Sequence, residues 1–365
     1  MKLSSRPFIV GFASTLLACI LICLPAAGAD SSPEALIKAG HWKRARPVVE
    51  KLYRDKPNDP QTLYLLSQVK MAFGDLEGAL PLAESAVSLD GGNANYHYQL
   101  AAVCGELADR ASLFKKAGLA KRFKEEAEKA ASLDPKNVDA RFALMEFYRQ
   151  APHLIGGDKK KAHEMVRQIV EVDPVRGYLD AAILAQEEKD VSGAEGYYAK
   201  ALASGPKDYD ALVAASDFHR DAAHRTDLAE KHGRAAVRLD PGRAGGYCSL
   251  AALYAIERRW SDLDAVLVQS EKAVPDDLAP YYQAGSALLH ENVDLQRAER
   301  YFRKYLTQQP EGDEPNLAHA HWQLGLVLEK QGRTQDAVSE IQPAVHMDRN
   351  LKQAPKDLDR LKSGG

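Results

Sequence analysis

Apolar residues recur at helical spacing along most of the chain, and most clearly between residues 60 and 93. The first half of this stretch carries Leu63, Leu66, Val69 and Met71, and the second half carries Ala79, Leu82, Ala83, Ala86, Val87 and Leu89. Positions three or four residues apart share one face of an α-helix. The pattern therefore predicts a helix over 61–73, a turn at Gly74 and a second helix over 75–89. The glycines that follow favour a stop, because glycine readily adopts the left-handed C-cap conformation.

The same two-helix pattern occurs nine times. Each copy ends on an Asp-Pro-like stop, and the stops fall at Pro57, Gly91, Pro135, Pro174, Pro206, Pro241, Pro275, Pro310 and Arg349. Their spacings are 34, 44, 39, 32, 35, 34, 35 and 39 residues. A period near 34 is typical of a helix–turn–helix unit that buries its apolar face by stacking on neighbouring units. The sequence therefore predicts an all-α solenoid, although 365 residues would otherwise suggest two or three globular domains.

Residues at fixed positions in the units make the chain similar to the tetratricopeptide repeat family. The matches in the clearest units are Leu324, Gly325, Gly332, Ala337, Ala344 (ninth), Tyr281, Ala284, Gly285, Ala298, Phe302, Pro310 (eighth), and Ala194, Tyr198, Ala201, Pro206 (fifth). The resemblance covers roughly residues 33–350 of an array assigned to 30–350. It implies a right-handed superhelix of about nine antiparallel helix pairs that binds partners. Within the remaining tail, 351–365, the pattern over 354–361 predicts a helix that caps the exposed end.

Units three and four depart from the period. Unit three carries about ten extra residues at 105–118 and has Phe123 where the family has Ala, and unit four carries extra residues at 151–157. Insertions in repeats usually form projecting loops. We therefore expect two loops that either contribute to a binding surface or cover a neighbouring groove. We also expect Asp158 to cap the next helix and Pro343 to kink or shorten the last repeat helix.

The first 29 residues differ in kind from the rest. A basic start, a continuous apolar run over 8–24 and an A-x-A site ending at Ala29 are the layout of a secretory signal peptide. Cleavage after Ala29 would export the mature chain, and resemblance to exported bacterial repeat proteins implies the periplasm. Two alternatives remain open. Residues 8–24 could stay as a membrane anchor, since 17 apolar residues reach the lower limit for spanning a bilayer, or Cys19 could be acylated.

Charge and cysteine content restrict the partners and the stabilising bonds. The formal net charge is −3, and loss of Lys2 and Arg6 with the leader would leave 46 Lys and Arg against 51 Asp and Glu, a net charge of −5. This mixed, mildly acidic chain has no basic footprint for nucleic acid, so we expect none to bind. Cys104 and Cys248 lie four units apart. If each repeat contacts only its neighbours, they cannot approach within the roughly 7 Å that a disulfide needs.

Candidate chemical motifs are incomplete. His163 and the following Glu begin like the H-E-x-x-H zinc helix, but residue 167 is Arg. The glycine- and lysine-rich run 156–161 lacks phosphate-loop spacing and follows no strand. His319 and His321 point to different sides of a helix, which argues against a shared metal. We therefore expect no catalytic residue, no metal and no cofactor.

The resemblance also implies which side chains face a partner. In this family, positions 2, 5, 9 and 12 of each first helix line the concave groove. Transferring these positions to the chain gives Gln61, Tyr64, Gln68, Asn95, Tyr98, Phe142, Glu146, Arg149, Tyr282, Ser286, His319 and Trp322, with Val213, Asp217 and Cys248 in the middle units. Position 5 is aromatic in five units, and aromatic side chains are favoured at interfaces. The alternative is that some of them pack between neighbouring first helices.

Taken together, these observations predict a non-catalytic scaffold that binds a protein or an extended peptide in its concave groove. Resemblance suggests a role in envelope assembly or secretion. Two other functions stay open. The two insertions could close a pocket for a small ligand or carbohydrate, or scattered histidines and acids could serve an unrecognised hydrolase.

Overall fold

A computed structural model describes residues 32–312 and 315–363, and all regular structure in this part of the chain is helical. It comprises nineteen α-helices and one 3-10 helix, His153–Ile155. The α-helices are α1 (Pro33–Lys38), α2 (Trp42–Asp55), α3 (Pro60–Ala72), α4 (Leu76–Leu89), α5 (Ala94–Arg110), α6 (Leu113–Leu133), α7 (Val138–Gln150), α8 (Lys159–Val172), α9 (Pro174–Glu187), α10 (Val191–Ser204), α11 (Tyr209–Asp221), α12 (Thr226–Leu239), α13 (Gly245–Ile256), α14 (Trp260–Ala273), α15 (Ala279–His290), α16 (Leu295–Tyr305), α17 (Leu317–Lys330), α18 (Thr334–Met347) and α19 (Gln353–Ser363).

The helices form nine consecutive pairs, from α1–α2 to α17–α18, and each pair packs against the next. The predicted all-α solenoid of nine repeats is therefore confirmed. The last helix, α19, packs on α18 and buries Leu358 and Leu361. It covers the apolar face that the ninth repeat would otherwise expose, as the end of a stacked array requires.

The Asp and Asn residues between repeats start the following helices. Asp59, Asn137 and Asp208 each accept a hydrogen bond of 2.8 Å from the backbone N–H three residues later. Such N-caps satisfy one of the N–H groups that lack a partner in the first turn. The Asp-Pro-like stops in the sequence thus mark the point where one repeat ends and the next helix begins.

The turn inside most of the repeats contains a left-handed residue, although the Ala111–Ser112 turn of repeat three does not. Glycine fills this position in three units, with φ of 80° at Gly40, 74° at Gly74 and 79° at Gly332. In units five and seven the same turn holds Lys189 at φ 61° and Arg258 at φ 57°. The backbone geometry is therefore kept even where the residue type disfavours it.

The insertion at 105–118 does not form the expected loop. It lengthens both helices of the pair, so that α5 has 17 residues and α6 has 21, and only Ala111 and Ser112 lie between them. The added residues can extend the helices because they include no proline. Gly105 also explains the unusual Phe123, since a Cβ at 105 would lie 2.9 Å from the Phe123 ring.

The second insertion does form an irregular segment, and Asp158 caps α8 by accepting from the backbone N–H of Lys160 at 2.9 Å. The expectation that Pro343 shortens its helix is wrong, because α18 continues to Met347. Proline has no backbone N–H, so Pro343 leaves the carbonyl of Ser339, four residues earlier, without its helical hydrogen bond. Ser339 lies on the exposed face of α18. Losing that bond costs less where water can replace it.

The first repeat contacts the seventh and eighth, so the rule that each unit touches only its neighbours does not hold. Arg44 of α2 hydrogen-bonds to Asp276, in the loop after α14, and Lys43 bonds to Gln308, beyond α16. The two ends of this superhelical turn therefore meet. Cys104 and Cys248 are nonetheless free thiols.

The predicted leader and its cleavage site lie outside the described residues. From residue 32 to 363, apart from 313 and 314, no helix has the length and apolar character needed to cross a membrane.

Candidate functional site

A partly apolar groove of about 420 Å³ lies where repeat three meets the first helix of repeat four. We call it the α5–α7 groove. Its lining comprises Met71 (α3), Tyr98, Ala102, Gly105, Glu106, Ala108, Asp109 (α5), Lys116, Ala120, Phe123 (α6), Phe142, Ala143, Glu146, Phe147, Gln150 (α7) and Ala151, Pro152, Ile155 (the following loop). Three of the predicted partner-facing residues, Tyr98, Phe142 and Glu146, are brought together here.

The lengthened helices of repeat three build one wall of this groove. Glu106 and Asp109 belong to the added part of α5, and Lys116 to the added part of α6. The floor is aromatic, with the rings of Phe123 and Phe147 stacked at 6.1 Å between centroids. The insertion thus contributes to the site by extending a helical wall.

The other wall is the loop 151–157, which presents apolar side chains to solvent. Leu154 is 96% exposed and Ile155 is 43% exposed. Gly156 holds φ 103°, and a Cβ at Gly157 would collide with the carbonyl oxygen of Ala151. The N–H of Gly157 also bonds to the carbonyl of Pro152 at 3.1 Å. The two glycines and this hydrogen bond fix the conformation of the loop, in which the Leu154 side chain is exposed to water.

Charged side chains on the groove rim are paired. Asp109 accepts from the Lys116 ammonium at 3.2 Å, and Glu146 accepts from Arg149, with a distance of 3.0 Å from Nε. Arg149 also bonds to Glu187 of the next repeat. Burial raises the pKa of Tyr98 to about 12, so its hydroxyl stays neutral at all ordinary pH values.

Phe142 connects the groove to a buried carboxyl group. The guanidinium of Arg176 stacks over the Phe142 ring at 4.3 Å from its centroid and donates to Asp180 Oδ1 at 3.2 Å. Asp180 is 1% exposed, and its Oδ2 has no hydrogen-bond partner. Burial raises the pKa of Asp180 to about 6, although Arg176 opposes this shift.

The predicted residues of repeats two and three outside the groove bond to their own neighbours. Gln68 donates to the Tyr64 hydroxyl at 2.9 Å, and Gln61 donates to Glu34 at 3.1 Å. Asn95 is exposed and accepts from the Asn137 side chain at 3.0 Å. The Gln61–Glu34 and Asn95–Asn137 bonds join successive repeats, whereas the Gln68–Tyr64 bond lies within α3.

Tyr282 and Trp322 do not lie on an open surface. Tyr282 is 7% exposed, packs against Phe302 and Tyr305, and accepts from Gln323 at 2.7 Å. The Trp322 indole donates to Asp357 of α19 at 3.0 Å. At this end, the aromatic side chains at position 5 therefore contact neighbouring helices, Tyr282 with α16 and α17 and Trp322 with α19.

Ser286 and His319 are half-buried, and His319 lines a separate cleft described below. In the middle units, Val213 and Asp217 are half-buried, and Arg220 bonds to Asp217 at 2.7 Å. Burial raises the pKa of the Cys248 thiol well above its usual value, which leaves it unreactive at neutral pH.

The sequence did not identify Phe123, Phe147 and Ile155 as groove residues, nor Leu154 as an exposed residue of the same loop. Leu154 and Ile155 could have been found, because two large apolar residues between a proline and two glycines are unusual in a loop. The described residues include no group of three or more His, Cys, Asp or Glu side chains arranged to hold a metal ion.

Comparison with known proteins finds a repeat family in two segments of the chain and a similar fold in the solved structure of yeast Tom70. Residues 34–94 and 292–351 match the family described as "Tetratricopeptide repeat". Yeast Tom70 is 16% identical with a TM-score of 0.52, over 91% of this chain and 80% of that chain. TTC0263, a tetratricopeptide repeat protein of Thermus thermophilus, is 21% identical with a TM-score of 0.45, over 50% of this chain and 92% of that chain. No curated protein gives a significant match.

Proposed function

We propose that this tetratricopeptide repeat protein is a non-catalytic scaffold that binds an extended peptide segment of a partner protein in the α5–α7 groove. Helical repeat proteins of this type generally act as protein-interaction scaffolds. The observation that carries the proposal is a partly apolar groove whose loop wall contributes Ile155 at 43% exposure, next in sequence to Leu154 at 96% exposure. Isolated exposed apolar residues are common, but one beside an aromatic groove marks an interaction surface.

The groove suits a bulky apolar side chain of the partner. Tyr98 and Phe142 offer partly accessible rings over a floor of Phe123 and Phe147. Covering Leu154 alone would contribute roughly 1.5–3 kcal/mol from the apolar area removed from water. Aromatic anchors in such pockets dominate many interfaces. We therefore expect one or two apolar anchor residues in the bound segment.

We further propose that the scaffold works in the bacterial periplasm, in envelope assembly or secretion. The support is the layout of residues 1–29, with a basic start, an apolar run and a small-residue cleavage site. Protein purified from the periplasmic fraction should then begin at Asp30 by intact-mass measurement. An intact Met1 in the membrane fraction would instead favour the anchor formed by 8–24.

A small apolar ligand or carbohydrate is the second candidate, because a volume of about 420 Å³ falls in the range of small-molecule sites. A thermal-shift screen against glycans, nucleotides and metal ions tests it. A ligand that raises the melting temperature of the wild-type protein but not of Phe142→Ala would favour this candidate over the peptide.

The peptide proposal is tested by selecting binders from a random 16-residue display library on the purified protein. Selected peptides are then titrated against Ile155→Ser, which alters the loop wall of the groove, and against Val268→Ser, the matched control. Val268 is 66% exposed on α14, so both variants remove one exposed apolar side chain without disturbing the core.

We expect Ile155→Ser to weaken binding by about fivefold, equivalent to about 1 kcal/mol, and Val268→Ser to leave it unchanged. The proposal fails if no selected peptide distinguishes the two variants.

A further inference from the structure

We infer that the first repeat acts as a clasp that holds the superhelix closed, and that closure completes the peptide site by adding a third wall, from the eighth and ninth repeats, to the two walls of the groove. The inference rests on the proposed function for its ligand, while the closure itself rests on contacts between residues more than 230 positions apart. The term clasp denotes Lys43 and Arg44 of α2 together with Asp276, Gln308 and Glu311.

The clasp is a compact set of polar contacts. Arg44 donates to both carboxylate oxygens of Asp276, at 2.6 and 2.7 Å. Lys43 donates through its ammonium to Gln308 at 3.2 Å and to the carbonyl of Asp276, and through its backbone N–H to Glu311 at 2.8 Å. A bidentate guanidinium–carboxylate pair fixes orientation as well as distance.

The contact also creates a cleft between the two ends of the array. A cavity of about 720 Å³ is lined on one side by Phe73, Glu106 and Asp109, and on the other by Pro310 and His319. Next to the clasp, Gly312 also lies against Ala72 of α3 and Trp42 of α2, since a Cβ there would be 3.2 Å from the Ala72 carbonyl oxygen. Without these contacts, the repeats that carry the two sides of the cleft would be linked only through the intervening units. The cleft therefore depends on the contact between repeats one, seven and eight.

The cleft adjoins the α5–α7 groove. Glu106 and Asp109 line both, so a segment that leaves the groove along α5 reaches the cleft. There it meets Asn350 and Gln353, whose amides can donate and accept, whereas the Asn316 oxygen already accepts from the His319 N–H. An extended backbone carries one donor and one acceptor at most residues, which suits these side chains. We expect the occupant to be an extended segment, anchored by an apolar residue in the groove.

Closure and binding are then linked. A ligand that contacts both the groove and the third wall binds the closed form more tightly. The same free energy favours closure when the ligand is bound. Breaking the clasp should weaken the binding of ligands that contact both the groove and the third wall, although Arg44 and Asp276 line neither the groove nor the cleft.

The test uses Arg44→Glu, Asp276→Arg and the charge-swapped double variant in the full chain. Arg44 is exposed, so its replacement should not prevent folding. Arg54→Glu, ten residues further along α2, makes the same charge change outside the clasp and serves as control. Small-angle X-ray scattering reports closure, and titration of the groove-dependent peptides selected above reports binding.

We expect each single variant to have a larger radius of gyration and to bind these peptides at least about fivefold more weakly. The double variant should recover both properties, and Arg54→Glu should resemble the wild type. An unchanged radius of gyration in both single variants would overturn the clasp. Opening without weaker binding would show that the third wall does not contact the peptide, and it would leave the groove proposal standing. If no groove-dependent peptide exists, the proposed function and the linkage both fail, while scattering still decides whether the clasp exists.

Discussion

Arg44 and Asp276 are 232 residues apart in the chain, yet their side chains form a bidentate ion pair with N–O distances of 2.6 and 2.7 Å. This pair joins the first repeat to the loop after the seventh. Exposed ion pairs alone contribute little to stability, about 0–1 kcal/mol. Here the pair acts with the Lys43 contacts between the two ends of the superhelical turn, so its effect is on the shape of the array more than on the folding of its repeats.

Acidity should control the clasp through Glu311. Burial, with Asp276 and Asp277 nearby, raises the pKa of Glu311 to about 7, although Lys43 opposes the shift. Arg44, also on α2, pairs with Asp276 in the same contact. The closed form therefore favours protonated Glu311. Closure should weaken as the pH rises from about 4.5, the ordinary pKa of a glutamate side chain, through 7, the pKa of Glu311 in the closed form.

Scattering at pH 5, 6, 7 and 8 measures this effect. We expect the radius of gyration to grow across this range in the wild-type protein and to stay constant in Glu311→Gln, whose amide cannot ionise. Asp276 has its pKa lowered and loses its charge only under more acidic conditions, so it does not obscure the window. Parallel pH curves for the two proteins would contradict the assignment to Glu311.

Asp180→Asn should stabilise the protein at alkaline pH. The pKa of Asp180 is raised to about 6 by burial, so ionisation in the folded state destabilises it as pH rises from about 4 through 6. Asparagine keeps the acceptor for Arg176 but cannot ionise. We expect a gain of about 1 kcal/mol in the free energy of unfolding at pH 8 and none at pH 4, since an unpaired amide offsets part of the benefit.

Urea denaturation at the two pH values measures the difference. Asp55→Asn, at an exposed carboxylate on α2, is the control and should change neither value. Equal effects of Asp180→Asn at both pH values would show that ionisation of Asp180 does not limit stability.

The left-handed turns inside the repeats predict opposite effects for two substitutions. Lys189 holds φ 61°, so Lys189→Gly should stabilise the protein by up to about 1 kcal/mol, because glycine avoids the steric cost of this conformation. Gly332 holds φ 79°, and a Cβ added there would meet no heavy atom within 4 Å, so Gly332→Ala should destabilise by about 1 kcal/mol through the backbone alone. Thermal unfolding of both variants checks the signs, and shifts in the same direction would contradict the shared turn geometry.

The terminal helix α19 should protect the ninth repeat. Leu358 is 7% exposed, and replacing it with Ala should cost about 2 kcal/mol and speed amide exchange in α17 and α18. Lys356→Ala changes an exposed residue of the same helix and should leave exchange unchanged. Hydrogen exchange followed by mass spectrometry measures both. Uniform acceleration over the whole chain would show that α19 supports the entire array and not its last repeat.

Much of the candidate site could be predicted from position within the repeat. Tyr98, Phe142 and Glu146 fall at family groove positions and do line one groove. The same rule fails for Tyr282, because the next first helix places Gln323 against its hydroxyl. Position in a repeat determines which side of the helix a residue occupies. It does not determine whether a neighbouring helix covers that side.

The sequence by itself determined the local elements, because helical periodicity, Asp and Asn caps and glycine turns act over a few residues and recur in nine copies. It also located the two departures at 105–118 and 151–157. Only the tertiary structure decided that the first departure lengthens two helices, that α19 covers Trp322, and that Arg44 meets Asp276. Small rotations between successive repeats add up over seven units, and their sum decides whether distant side chains meet. No local pattern encodes that sum.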